Sequence, residues 1–384
     1  ASEGDVIDIP AGTYHESLSI FKTITLRGVS SSTTNIEPPP GQRAITVDTW
    51  GDLSLQNLTL RNGHPVNQMG GGVYLKNGSL TMENCQIVDN SASTGGGIFQ
   101  SSAGGEGRIL NSLVSRNISS LHGGGLYVNG SLWITGTVIS NNIAAMDGGG
   151  LAVSSNPLKL TSTTLAANQS GNWGGGILVG VGQAQLNNVV LVSNTAANSG
   201  GGLLTHGPLM MLNSRVVQNA ALVAHGGGIY AIGAPLEIID TEILTNTAGF
   251  YGGGVYSYNS HLERSGAQVG GITASTGGGL SIDSHVIAEL NGNQILNNQA
   301  GLEGGGIYIA NQSTLFSSNN ILAGNRAQIR GTAIMIKDYT LVLLNHDTLV
   351  GSPVPQPGAG IYVARENTLN ATNTILSNHS LGLG

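Results

Sequence analysis

The sequence predicts an all-β protein, a parallel β-helix of about 14 coils with about 26 residues in each. Three observations predict it. Gly-Gly-Gly begins at Gly70, Gly95, Gly123, Gly148, Gly174, Gly200, Gly226, Gly252, Gly277 and Gly304, at spacings of 25 to 28 residues, and degenerate copies follow at Gly331 and Gly358. Each triplet leads into an alternating apolar segment such as Val73-Tyr74-Leu75, Leu126-Tyr127-Val128 or Ile307-Tyr308-Ile309, the period-2 signature of a strand. A third apolar element in each repeat ends in an apolar residue, two variable ones and Asn, as in Ile87 to Asn90 or Leu191 to Asn194.

Each repeat therefore holds three short strands and no helical segment long enough to cross back over a sheet. A chain that coils in this way lays every strand parallel to its copy one coil away, and each coil contacts mainly its neighbours. Propeller blades need ~40–50 residues per repeat and leucine-rich repeats a different Leu/Asn spacing, so both are excluded. The Gly triplets suit a corner that requires positive φ or close approach between coils. Asn suits the opposite corner, since it tolerates the left-handed region and its amide can bond the Asn one coil away. The expected ladder comprises Asn90, Asn117, Asn142, Asn168, Asn194, Asn219, Asn246, Asn298 and Asn325, with a final copy at Asn378. It is expected to break at Gly271, read as taking the Asn position, and at the Pro353-Val354-Pro355-Gln356-Pro357 loop. Residues 1–69 read as irregular N-terminal coils and 70–384 as the regular repeats of one continuous solenoid domain.

Composition narrows the function. Charged residues make up only 9% of the chain, the net charge is −7, and 36 Asn outnumber all charged residues together. That balance excludes nucleic acid as a partner, and no apolar run approaches the ~20 residues of a membrane span. The single Cys85 rules out a disulfide framework.

The segments Gly4-Asp5-Val6-Ile7-Asp8-Ile9-Pro10-Ala11-Gly12-Thr13-Tyr14 and Ile24-Thr25-Leu26-Arg27-Gly28 resemble the first coils of pectin-lyase-like right-handed β-helices. The Gly-Gly-Gly-apolar and apolar-x-x-Asn repeats are similar to those of chlamydial polymorphic outer-membrane proteins and bacterial surface β-helices, although residues other than Phe lead the Asn element here. The resemblance covers essentially the whole chain and implies a right-handed coil. For activity it implies little, because such helices include lyases, hydrolases, esterases, adhesins and tailspikes. A capping helix usually precedes the first coil in that superfamily. Its absence from this sequence leads us to expect flanking domains or, failing those, end-to-end assembly.

Residues about 26 apart become neighbours on adjacent coils, about 4.8 Å apart. Asp89 with Arg116, Arg215 with Glu242, Glu303 with Arg330 and His122 with Asp147 then form opposite-charge pairs, the pattern that a parallel ladder favours. Glu237 and Glu263 instead place two carboxylates on one outer face. They are solvated side chains, a cation site for an ion such as Ca²⁺, or, if the protein is an enzyme, its catalytic pair. No resident metal or other cofactor is assigned. Tyr74, Phe99, Tyr127, Tyr230, Tyr256, Tyr308 and Tyr362 follow their Gly corners at an outward position, and Trp173 stands in a corner. Such a strip either stabilises the sheet or binds a ligand. The expectation is a secreted or cell-surface structural or adhesive protein whose partners are a glycan or copies of itself. The alternative is a lyase or glycoside hydrolase acting on an extracellular polysaccharide.

Overall fold

The structure, a computed structural model, describes residues 1–48, 51–101, 105–351, 359–378 and 381–383. The Pro353–Pro357 loop and the degenerate corner at Gly358 lie outside the described residues. The chain divides into two compact units, Ala1–Val190 and Leu191–Gly384. Each is built from the same coil, and the turns number about 14, spaced about 26 residues apart.

In the first unit each coil contributes one strand to each of three parallel sheets. Sheet 1 contains Val6–Ile9, Ile24–Gly28, Leu53–Gln56 and Leu80–Glu83, sheet 2 contains Gly12–Tyr14, Thr34–Ile36, Thr59–Arg61 and Gln86–Val88, and sheet 3 contains Leu18–Ile20, Ile45–Val47, Val73–Leu75 and Ile98–Gln100. A short fourth strip begins at Ser91–Ala92. The second unit repeats this arrangement, with Leu236–Ile239 and His261–Ser265 in its sheet 1, Glu242–Leu244 in its sheet 2, and Ile229–Ile232 and Val255–Tyr258 in its sheet 3. Among the described residues there is no helix, and so none long and apolar enough to cross a membrane.

Strand parity fixes the core. In the first unit Leu53, Leu80, Leu132 and Leu158 point inward from sheet 1, Ile87, Val114, Ile139 and Leu165 from sheet 2, and Val73, Ile98, Leu126 and Leu151 from sheet 3. Burying each such side chain is worth ~1.5–3 kcal/mol, so the interior is a stack of aliphatic layers.

Both tight turns of a coil use one device, a left-handed residue followed by a buried one. Between sheets 1 and 2 it is Asn111 (φ 46°) then Ser112, or Gly136 (φ 61°) then Thr137. After sheet 2 it is Asp89 (φ 57°) then Asn90, Arg116 (φ 55°) then Asn117, and Ala167 (φ 54°) then Asn168. The residue before each Asn, not the Asn itself, therefore takes the left-handed conformation, which frees the amide to turn inward. Asn90 Nδ2 donates to Asn117 Oδ1, Asn117 Nδ2 to Asn142 Oδ1 and Asn142 Nδ2 to Asn168 Oδ1, each at 3.0 Å. In the second unit Asn194 donates to Asn219, Asn219 to Asn246 and Asn298 to Asn325, again at 3.0 Å.

Two registers differ from expectation by one residue. Gly271 (φ 63°) takes the left-handed place and the fully buried Ile272 the ladder place, its N–H donating to Asn298 Oδ1 at 3.2 Å. The ladder thus breaks at Ile272. Asn378 (φ 55°) likewise occupies a left-handed position, because Leu376, rather than Ile375, pairs with the inward Leu349. At the third corner, Gly123 (φ 64°) supplies the left-handed residue, and a Cβ on Gly124 would lie 2.3 Å from the carbonyl oxygen of Gly149 on the next coil.

Candidate functional site

The outward rings of sheet 3 lie where strand parity puts them, but side chains from several corners, among them Arg43, His122, His225, Tyr251 and Arg330, lie against them. In the first unit Tyr74, Phe99 and Tyr127 stack with centroids 5.7 and 5.4 Å apart and planes within 12° and 7° of parallel. Arg43 lies 4.7 Å above the Tyr74 ring and His122 leans toward Tyr127, so Phe99 is only 5% exposed. Trp173 is 36% exposed, and its backbone N–H donates to Asp147 Oδ1 at 3.1 Å. Asp147 Oδ2 is 3.0 Å from His122 Nδ1.

The second unit carries the richer arrangement. Tyr230 pairs in register with Tyr256, Tyr256 with Ser281, and Ser281 with Tyr308. His225 and Tyr251, from successive corners, lie over this face: His225 is 5.4 Å from Tyr251 and 4.9 Å from Tyr256, and Phe250 meets Tyr251 edge-on at 4.6 Å. Tyr256 and Tyr308 are consequently 4% and 6% exposed, covered where open rings were expected. Tyr362, farther along, lies under Arg330 at 4.7 Å, and Arg330 also bonds Glu303 at 2.7 Å.

Asp283, two positions beyond Ser281, anchors the polar side of this cluster. Its carboxylate accepts from Tyr256 Oη at 3.0 Å, Asn311 Nδ2 at 2.6 Å and Ser284 Oγ at 3.2 Å. Burial, reinforced by Asp283, pushes the Tyr256 phenol far above its ordinary range, and burial takes Tyr230 up to about 12. Burial also holds His225 below its ordinary value, against the opposing pull of Asp283. These phenols stay protonated at neutral pH and act as donors, while His225 is biased toward the neutral form. His225 Nδ1 and Ser281 Oγ are buried without a partner. The arrangement offers flat apolar faces beside hydroxyl, carboxylate and imidazole groups, which suits binding of a polyol ring better than proton abstraction by a tyrosinate.

Glu237 and Glu263 pair in register, and Glu289, which the sequence reading missed, extends the column. Among the described residues no group of three or more His, Cys, Asp or Glu converges to hold a metal. The expected ion pairs form at Arg116–Asp89, Arg215–Glu242 and Arg330–Glu303, each at 2.7 Å, the first two exposed and the third part-buried. His225, Tyr251, Ser281 and Asp283 were also missed, although His225 and Tyr251 share the corner column in which Trp173 was noticed. Arg264 was missed too: Leu262 points inward, so parity sends Arg264 inward as well, and it is fully buried.

Residues 43–221 match the family model described as the right handed beta helix region. The fold is a right-handed parallel β-helix. A comparison with curated proteins finds no match. Among solved structures the chain is similar to a mannuronic-acid-specific polysaccharide family 6 lyase from human gut microbiota, at 10% identity and TM-score 0.39, covering 89% of this chain and 82% of that one. It is also similar to the family 6 alginate lyase AlyGC (9% identity, TM-score 0.34, covering 96% and 82%) and to the catalytic domain of a GH87 α-1,3-glucanase (13%, 0.25, covering 97% and 64%). These are likenesses of coiled form, and no part of the functional reading rests on them.

Proposed function

We propose that this is an extracellular or cell-surface β-helix that binds a glycan on the outer face of sheet 3 within residues 191–384. The observation that supports this reading is the gathering of Tyr230, Tyr251, Tyr256, Tyr308 and His225 around the buried Asp283. Aromatic faces take the C–H surfaces of a sugar ring, and the hydroxyl and carboxylate groups at their edge take its hydroxyls. The phenols, held protonated, give donors rather than bases, so the reading is of retention without cleavage.

The test is a glycan array run beside a polysaccharide-degradation screen. Saturable retention of a glycan without release of shorter products is the expected result. Release of products from a polysaccharide would replace binding by catalysis, and failure to retain any glycan on a broad array would remove the reading.

A further inference from the structure

The outward column of sheet 3 contains one irregularity. Between Tyr256 and Tyr308 it carries Ser281, so one ring's room, about 10 Å between flanking side chains at two coil spacings, has no ring of its own. Tyr251 fills it from the corner. Its centroid lies 5.6 Å from both Tyr256 and Tyr308, with planes inclined by 22° and 31°. Beneath it Ser281 Oγ is buried without a partner, an unfavourable state for a hydroxyl.

The Tyr251 ring is held by its contacts with Tyr256 and Tyr308 on either side and with His225 and Phe250 at its edge. Its backbone is fixed: its carbonyl accepts from Gly226 N–H at 2.9 Å, and the residue bridges to Thr276. The ring itself is only half-buried, so rotation of the side chain toward solvent needs no backbone change.

We propose that the place between Tyr256 and Tyr308 is a binding subsite for one uncharged pyranose ring, kept shut by Tyr251 until the sugar displaces it. The two tyrosine faces sandwich the sugar, Ser281 Oγ gains the partner it lacks, and Asp283 accepts from a sugar hydroxyl. The carboxylate of Asp283, buried at the edge of this place and bonded to the neutral Tyr256, Asn311 and Ser284, disfavours a uronic acid there. This inference rests on the glycan-binding reading and adds the subsite, the sugar class and the gate. A ligand that must first open a closed site binds with apparent affinity reduced by the open fraction, so removing the gate tightens binding.

The experiment compares wild type, Tyr251→Ala and Tyr251→Phe for affinity toward a neutral glycan retained on the array, with p-cresol as a second probe. Tyr251→Ala is expected to bind that glycan at least ~10-fold more tightly than wild type. Tyr251→Phe, which loses the hydroxyl but keeps the ring, is expected to fall between them and guards against failure of the alanine variant to fold. p-Cresol, which reproduces the missing side chain, is expected to raise the melting temperature of Tyr251→Ala alone and to compete with the glycan there. Equal or weaker glycan binding by both variants overturns the gate while leaving the glycan reading intact. Preference for a uronic-acid glycan overturns the sugar class. Failure of all three proteins to bind a neutral glycan, even where p-cresol fills the slot, overturns the glycan reading and the pyranose subsite together.

Discussion

Replacing Arg264 with methionine is expected to stabilise the protein. Arg264 lies in the inward column of sheet 1 between Ile238 and Leu290, fully buried, with none of its three guanidinium nitrogens hydrogen-bonded. Burial lowers its pKa well below the ordinary guanidinium range, to about 9. At neutral pH the group is still protonated in both states, so the folded chain carries the cost of holding a charge it disfavours. Replacement of buried charges by apolar residues typically returns ~1–4 kcal/mol. The expected gain is therefore about 1–4 kcal/mol. For a base whose folded pKa is depressed, the penalty is full below about pH 9 and shrinks as pH rises from there toward the unfolded value. The difference between variant and parent should be constant from pH 6 to 8 and narrow above about pH 9. The raised tyrosines affect both proteins equally and cancel in that difference. Denaturant melts of both proteins at pH 7 and pH 10 measure it, and a variant less stable than its parent at pH 7 would refute the reasoning by showing that the guanidinium is compensated.

Asn219→Ala removes the bonds to Leu191 O and Asn246 Oδ1 from a buried ladder and is expected to cost ~1–3 kcal/mol in denaturant melts, whereas the exposed Asn370→Ala should cost under ~0.5 kcal/mol. Thr245→Asn should stabilise by about 1 kcal/mol, because Thr245 is a β-branched residue at φ 54° where the next coil has Gly271. Glu263→Gln, at the centre of the glutamate column, should stabilise by ~0.2–1 kcal/mol at low ionic strength and by less in 1 M salt, as thermal melts at the two salt concentrations would show.

The coil was legible because its signals recur. Glycine at Gly123 and Gly148 marks a positive-φ corner, and asparagine at Asn117 and Asn142 marks a turn, so period and strand order follow from spacing alone. The division of labour within that turn was not legible: Asp89, Arg116 and Ala167 share no chemistry, and only the backbone reveals that all three are left-handed. Gly271 was misplaced for the same reason, since a glycine beside a missing asparagine looks like its substitute.

Of the candidate site, the rings were visible by parity, but their covering was not. Nothing in a period of 26 states that Tyr251 leaves its corner to lie between Tyr256 and Tyr308, a position set by the room above Ser281. Asp283 joins through bonds to Tyr256 and to Asn311, 28 residues later, contacts that depend on side-chain rotamers.

The central claim is that a glycan lies on the outer face of sheet 3 in residues 191–384, and radical footprinting with and without the retained glycan tests it most directly. Phe250, Tyr251 and Tyr258 are among the accessible or half-buried rings at that face. The account predicts that the glycan lowers oxidation at Phe250 and Tyr258 and changes it at Tyr251. Protection confined to the Tyr74–Tyr127 strip or to the Glu237–Glu289 column, with these three rings unaffected, would contradict it.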